Sequence, residues 1–169
     1  MAMLKIVKFP DPFLKRKCKP VDKMDARIPK LIEDMAETMY ASSGIGLAAI
    51  QVGVDQRIIV FDTTEENKER SFLELINPEI IKMEGSCVSE EEGCLSVPDF
   101  KSNVKRAKSI VVQGLDRNGK KKTLSYNDLR AIVIQHEVDH LNGILFIDRI
   151  SSLKRELYKR SIKKQIKNS

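Results

Sequence analysis

The stretch Gln135-His136-Glu137-Val138-Asp139-His140 sets two imidazoles four residues apart with an acid between them. On an α-helix, positions i and i+4 share a face. His136 and His140 can therefore meet one metal ion, while Glu137 stands within reach of the ion's water. The chain has only two histidines and both fall here, which argues against a chance pair on a solvated surface. Residues 126–134 read as the start of the same helix. Ser125 or Asn127 is placed to cap it, and Asn142-Gly143 supplies a stop.

Working outward, residues 109–113 and 122–124 flank Asp116-Arg117-Asn118-Gly119, whose Asn-Gly is a strong hairpin signal. Residues 57–61 form a buried-type strand, 65–70 a polar turn, and 72–76 a returning strand ended by Asn77-Pro78. Ile28, Leu31, Ile32, Met35 and Met39 recur at helical spacing, with both methionines as core filler. Residues 5–9 read as a short strand stopped by Pro10-Asp11-Pro12. Ser42-Ser43-Gly44-Ile45-Gly46 breaks the N-terminal helix. Its glycines allow a close backbone approach, but spacing alone describes a plain loop with a helix cap. Residues 151–167 read as a basic helix with an apolar seam of Leu153, Leu157, Ile162 and Ile166. Together these predict an α+β fold: antiparallel sheets around the motif helix, plus an N-terminal and a C-terminal helix.

The length of 169 residues suits one domain spanning 1–169, with its basic C-terminal helix over 148–169. With 41% hydrophobic and 32% charged residues, the composition is that of an ordinary soluble globular domain. No apolar run reaches transmembrane length, and the N-terminus lacks the pattern of an export signal. Cys18, Cys87 and Cys94 are odd in number and follow no disulfide framework, which points to a reducing, cytoplasmic compartment. The charge of +6 favours polyanionic surroundings without naming one; neither a membrane nor DNA is expected as a partner.

A catalytic metal usually takes three protein ligands and keeps one position open. No third histidine exists. Asp148 and Glu156 lie downstream, but Glu156 sits among Lys154, Arg155, Lys159 and Arg160 and reads as an ion-pair partner. Of the upstream thiols, Cys94 follows Gly93 in a strand-and-turn context that suits a ligand better than the settings of Cys18 or Cys87. Leu129, Ile132 and Val133 precede His136 by seven, four and three residues. They therefore share the metal-bearing face and offer an apolar wall, as well as core packing.

Gly44-Ile45-Gly46-Leu47-Ala48-Ala49-Ile50-Gln51, Glu92-Gly93-Cys94-Leu95-Ser96 and the His-Glu-x-x-His element resemble, in order and spacing, the three motifs of the bacterial peptide deformylase family. The resemblance covers nearly the whole chain, including a C-terminal helix like that of the Gram-negative-type enzymes. It implies a metallohydrolase that removes the formyl group from N-formyl-methionyl nascent chains and releases formate. Cys94, His136 and His140 would bind one divalent ion, natively Fe²⁺, with Zn²⁺, Ni²⁺ or Co²⁺ as substitutes. Glu137 would act as base and acid, and Gln51 with the Leu95 backbone N–H would hold the oxyanion. The peptide would pair with backbone at Gly44, Ile45 and Gly46 and at Glu92 and Gly93, with its methionine against Leu129, Ile132 and Val133. Glu92 and Asp139 would support the ligands, with Arg106 as partner of Asp139, and the basic C-terminal helix would dock on the ribosome. Two rivals remain: a zincin-type peptidase using a downstream acid, and a basic ribosome- or RNA-binding factor without catalysis. Few stacking aromatics interleave the basic residues, which disfavours sequence-specific RNA reading.

Overall fold

Strand β2 (Ile58–Asp62) is covered on both faces. Ile58 and Val60 pack with helix α1 (Arg27–Ala41), and Ile59 and Phe61 pack against helix α2 (Asp128–Leu141). Successive strand side chains point to opposite faces, so four consecutive apolar residues are what a strand between two helices requires. This computed structural model describes residues 2–168; Met1 and Ser169, the ends of the expected 1–169 unit, lie outside the described residues.

Five antiparallel strands make the main sheet, in the order β1 (Gly46–Ala48), β2, β3 (Phe72–Glu84), β6 (Ser109–Leu115) and β7 (Lys121–Asn127). Strands β4 (Cys87–Cys94) and β5 (Val97–Arg106) form a separate hairpin, and α3 (Ser152–Asn168) closes the chain. The fold is α+β, as expected, with the motif helix α2 at its centre. The β6–β7 turn has Gly119 at φ 78°, and the Asp116 side chain accepts the N–H groups of Asn118 and Lys120. This is how an Asp-x-Asn-Gly turn satisfies its own backbone.

Several expectations need correction. Residues 5–9 are not a sheet strand. Val7 N–H donates to Gln51 O (2.7 Å) and Phe9 N–H to Ser96 O (2.8 Å), so this arm braces two different segments and builds no ladder. Asn77-Pro78 does not end β3 but bulges it, where the strand passes from pairing with β2 to pairing with β6. Asn77 takes φ 52° and exchanges two side-chain bonds with the Val21 backbone, which pins the bulge. Strand β5 escaped the sequence pattern because its inward positions include Ser102 and Arg106. Tyr126 and Asn127 are the last residues of β7, so α2 begins only at Asp128; Asn127 sits at its cap without a side-chain capping bond.

The break after α1 is more than a plain loop. Ser43, not a glycine, takes the left-handed conformation at φ 58°, and Gly46 opens β1. The C-terminal helix starts at Ser152 and not at 148, since residues Phe146–Arg149 form a 3-10 turn. Its anchoring residues are Tyr158 and Ile162, packed with Phe146 and Phe100. From the expected seam, Leu153 is 70% exposed and Leu157 55%.

Candidate active site

From Ala131 to Leu141, α2 is almost wholly buried, polar side chains included. Burying such groups is costly unless each finds a partner. Most of the partners come from β4, β5 and the residue that follows β5. Gln135 pairs with both backbone groups of Ala107 (2.9 Å each) and fixes α2 against the β5–β6 connection. His136 Nδ1 lies 2.7 Å from Glu92 Oε1. An ionised carboxylate only accepts, so Nδ1 carries the proton and Nε2 is free as a ligand. Arg106 donates to Glu92 through Nε (3.2 Å) and Nη2 (2.5 Å), and through Nη1 to Asp139 Oδ2 (2.7 Å). The expected Arg106–Asp139 pair is therefore present, and Arg106 serves Glu92 as well. Burial works to raise the Glu92 pKa, yet the bonds from His136 and Arg106 bring it down to about 2.

The hairpin brings the thiol to the helix. Cys94 pairs with Val97 across the two-residue turn Leu95-Ser96, at the end of the β4–β5 hairpin that faces α2. Cys94 Sγ is 3.2 Å from His140 Nε2, and His140 Nε2 is 3.3 Å from His136 Nε2. All three atoms lie within 4.8 Å of one another, and no other such group occurs among the described residues. A tetrahedral site with bonds of about 2.0–2.3 Å spaces its ligand atoms about 3.3–3.6 Å apart, so this soft-thiolate and imidazole set fits a divalent transition metal. The other candidates lie elsewhere. Cys18 is buried in the main core, and burial pushes its thiol up to about 11. Asp148 is bound by Lys15 and the Leu145 N–H. Glu156 sits on exposed α3 near Lys159, at 3.9 Å.

Gln51 is held at both ends of its amide. Oε1 accepts from Ala48 N–H (2.9 Å), which orients Nε2 toward Ser96 Oγ (3.1 Å) and Cys94 Sγ (3.5 Å). Ser96 closes the Glu92–Ser96 motif in the sequence, but a serine two residues past the cysteine carries no signal of the part it plays. Glu137 is buried and its Oε1 has no hydrogen-bond partner; burial is the main cause that lifts its carboxyl to about 7. A carboxyl so placed can hold or give up a proton near neutral pH.

A cleft of about 540 Å³ opens over this group. Residues 44–46 form one wall and 92–95 another, and Leu129, Ile132 and Val133 from α2 supply the apolar side. Every position expected to meet substrate thus lines one space, which Lys101 and Glu91 also border. Gly46 is required by close approach: a Cβ there would stand 2.5 Å from Glu137 Oε2 and 2.7 Å from Val133 Cγ1.

The sequence profile of the family described as polypeptide deformylase matches residues 3–156. A peptide deformylase of Desulfosudis oleivorans is 48% identical over 169 residues, covering 100% of this chain and 98% of its own. One of Thermodesulfovibrio yellowstonii is 50% identical over 163 residues, 96% and 98% of the two chains. Among solved structures, the peptide deformylase of Legionella pneumophila superposes with a TM-score of 0.89 at 42% identity, covering 98% and 96%. That of Ehrlichia chaffeensis in complex with actinonin gives 0.90 at 40% identity, covering 98% of both chains.

Proposed function

Since the chain belongs to the polypeptide deformylase family, we infer that Cys94, His136 and His140 are its metal ligands and Glu137 its acid–base group. The protein is a metal-dependent hydrolase that removes the formyl group from N-formyl-methionyl nascent chains and releases formate. The observation that carries the site reading is the convergence of one sulfur and two Nε2 atoms beside a buried, unpartnered carboxylate oxygen.

When bound, a divalent ion (Fe²⁺ as the native choice, with Zn²⁺, Ni²⁺ or Co²⁺ as substitutes) polarises the formyl carbonyl and draws the pKa of water toward neutrality. The chain's own groups do the rest. Glu137 takes the proton of the attacking water on Oε1 and returns it to the leaving amine. Gln51 Nε2, held in place by Ala48 and Ser96, and the Leu95 N–H donate to the oxygen that gains charge. Glu92 keeps the His136 ring turned by holding Nδ1–H.

The formyl-peptide lies in the cleft as an added strand. β1 is the edge of its sheet, so the backbone of Gly44, Ile45 and Gly46 can pair with the peptide opposite Glu92 and Gly93. The methionine side chain rests on Leu129, Ile132 and Val133. A zincin-type ligand set is not favoured, because the downstream acids Asp148 and Glu156 are engaged outside the cluster.

The chain works as one catalytic domain in the cytoplasm; no helix among its described residues is long and apolar enough to cross a membrane. Its basic α3 docks on the ribosome, where formylated chains emerge. Ribosome binding should weaken as salt rises and be lost when the residues after Ser152 are deleted; binding that survives the deletion removes this role from α3.

The test of the site pairs metal analysis with formate release from a formyl-Met peptide, the protein being purified without oxygen. Wild type should carry one ion per chain. Cys94→Ser should lose ion and activity together. Glu137→Gln should keep the ion and lose about 100- to 10,000-fold in kcat. Full metal content and activity in Cys94→Ser would overturn the ligand assignment.

A further inference from the structure

Arg149 belongs to no motif, yet it closes a run of charged groups that ends on a metal-site imidazole. It leaves the turn Phe146–Arg149 and grips Asp139 bidentately, Nε to Oδ2 at 2.6 Å and Nη2 to Oδ1 at 2.7 Å. The same Asp139 Oδ2 accepts Arg106 Nη1, and the other donors of Arg106 hold Glu92, whose Oε1 accepts from His136 Nδ1. Glu92, Arg106 and Asp139 are all buried, whereas the Arg149 side chain is 43% exposed in a second cleft beside α2.

Charge balance gives this arrangement its meaning. Glu92, Asp139 and Arg106 alone carry two negative charges and one positive. Arg149 makes the four neutral. A buried carboxylate without enough counter-charge is costly, and here it would compete for the only guanidinium in reach. Asp139, released by Arg149, would draw Arg106 away from Glu92, and Glu92 would lose the clamp that aims it at His136.

We propose that Arg149 is a positioning residue of the metal centre: by neutralising Asp139 it keeps Arg106 on Glu92, and so keeps His136 turned with Nε2 toward Cys94 and His140. The inference rests on the reading of Cys94, His136 and His140 as ligands. A clasp that merely tied the 146–149 turn to α2 would contribute only to stability, and little at that exposure. A positioning role instead alters how the folded protein holds its ion. Loss of a group that holds a ligating imidazole, as Glu92 holds His136, typically shifts metal affinity by about 10- to 100-fold, and Arg149 acts on that group through Asp139 and Arg106.

The test loads wild type, Arg149→Ala, Arg149→Gln and Arg149→Lys with Co²⁺. It follows the rate of ion loss to a chelator, the visible spectrum of the bound Co²⁺ and the thermal midpoint. Arg149→Ala and Arg149→Gln should release the ion at least about tenfold faster, with an altered spectrum. Arg149→Lys should fall between, since a point charge restores neutrality but not the bidentate fork. In an Asp139→Asn background, where there is no charge to neutralise, Arg149→Ala should add little further change. Wild-type release rates and spectra in both Arg149→Ala and Arg149→Gln would overturn the proposal, whatever happens to the midpoint. A wild-type protein that held no ion would instead overturn the ligand reading, and this inference with it.

Discussion

Glu137 presents one carboxylate oxygen without a protein partner, while its other oxygen lies where a Gly46 side chain would be. A methyl group at position 46 must push Glu137 or Val133 aside, because 2.5 Å is far inside contact distance. Displacement of a catalytic group by about 1 Å can cost about 100-fold in rate. Gly46→Ala should therefore lower kcat by about that factor while metal content stays at one ion per chain; a variant with near-normal turnover would show that the cleft wall yields. At this scale the sequence was informative wherever a residue type is scarce or chemically committed. Two histidines at helical spacing led directly to the helix side of the cluster, whereas Cys94 was only favoured by its setting and became a ligand through the family motif it resembles. Ser96 and Arg149 were not legible, since each matters only through a partner far along the chain: Gln51 is 45 residues from Ser96, and Glu92 meets Arg149 only by way of Asp139 and Arg106.

Helix α2 is an element whose two jobs share one cylinder. Ala131, Ile134, Val138 and Leu141 fill the main core, while His136, Glu137 and His140 meet the site. Ile134 is fully buried against the sheet, so Ile134→Ala leaves a cavity that rigid neighbours cannot refill. The expected cost is about 2–5 kcal/mol, read as a lower urea midpoint with an unchanged slope; a loss below about 1 kcal/mol would show that the core collapses around the gap. The ease of reading other elements followed from where their polar residues go. β2 was plain because both of its faces are apolar. β5 was hidden because Arg106 faces inward, acceptable only once Glu92 and Asp139 surround it. β3 was cut short at Asn77-Pro78 because the rescue of that bulge comes from Val21, 56 residues away.

For the whole molecule, Cys94 on β4 meets His136 and His140 on α2, so an ion held by these proposed ligands would tie the small hairpin to the main sheet. An ion that binds only the folded arrangement stabilises it by mass action, by about 2.7 kcal/mol at 100 times its Kd. Chelation should lower the thermal midpoint of wild type, and return of Co²⁺ or Ni²⁺ should restore it; an unchanged midpoint would mean that hairpin and helix stay joined without an ion. The placement of β2 has a last consequence. It has hydrogen-bonded neighbours at both edges, β1 and β3, and a helix over each face. Its amide protons have no local route to deuterated solvent. Their exchange should wait for the chain to come apart as a whole, so the slowest-labelling amides would gauge the total free energy of unfolding.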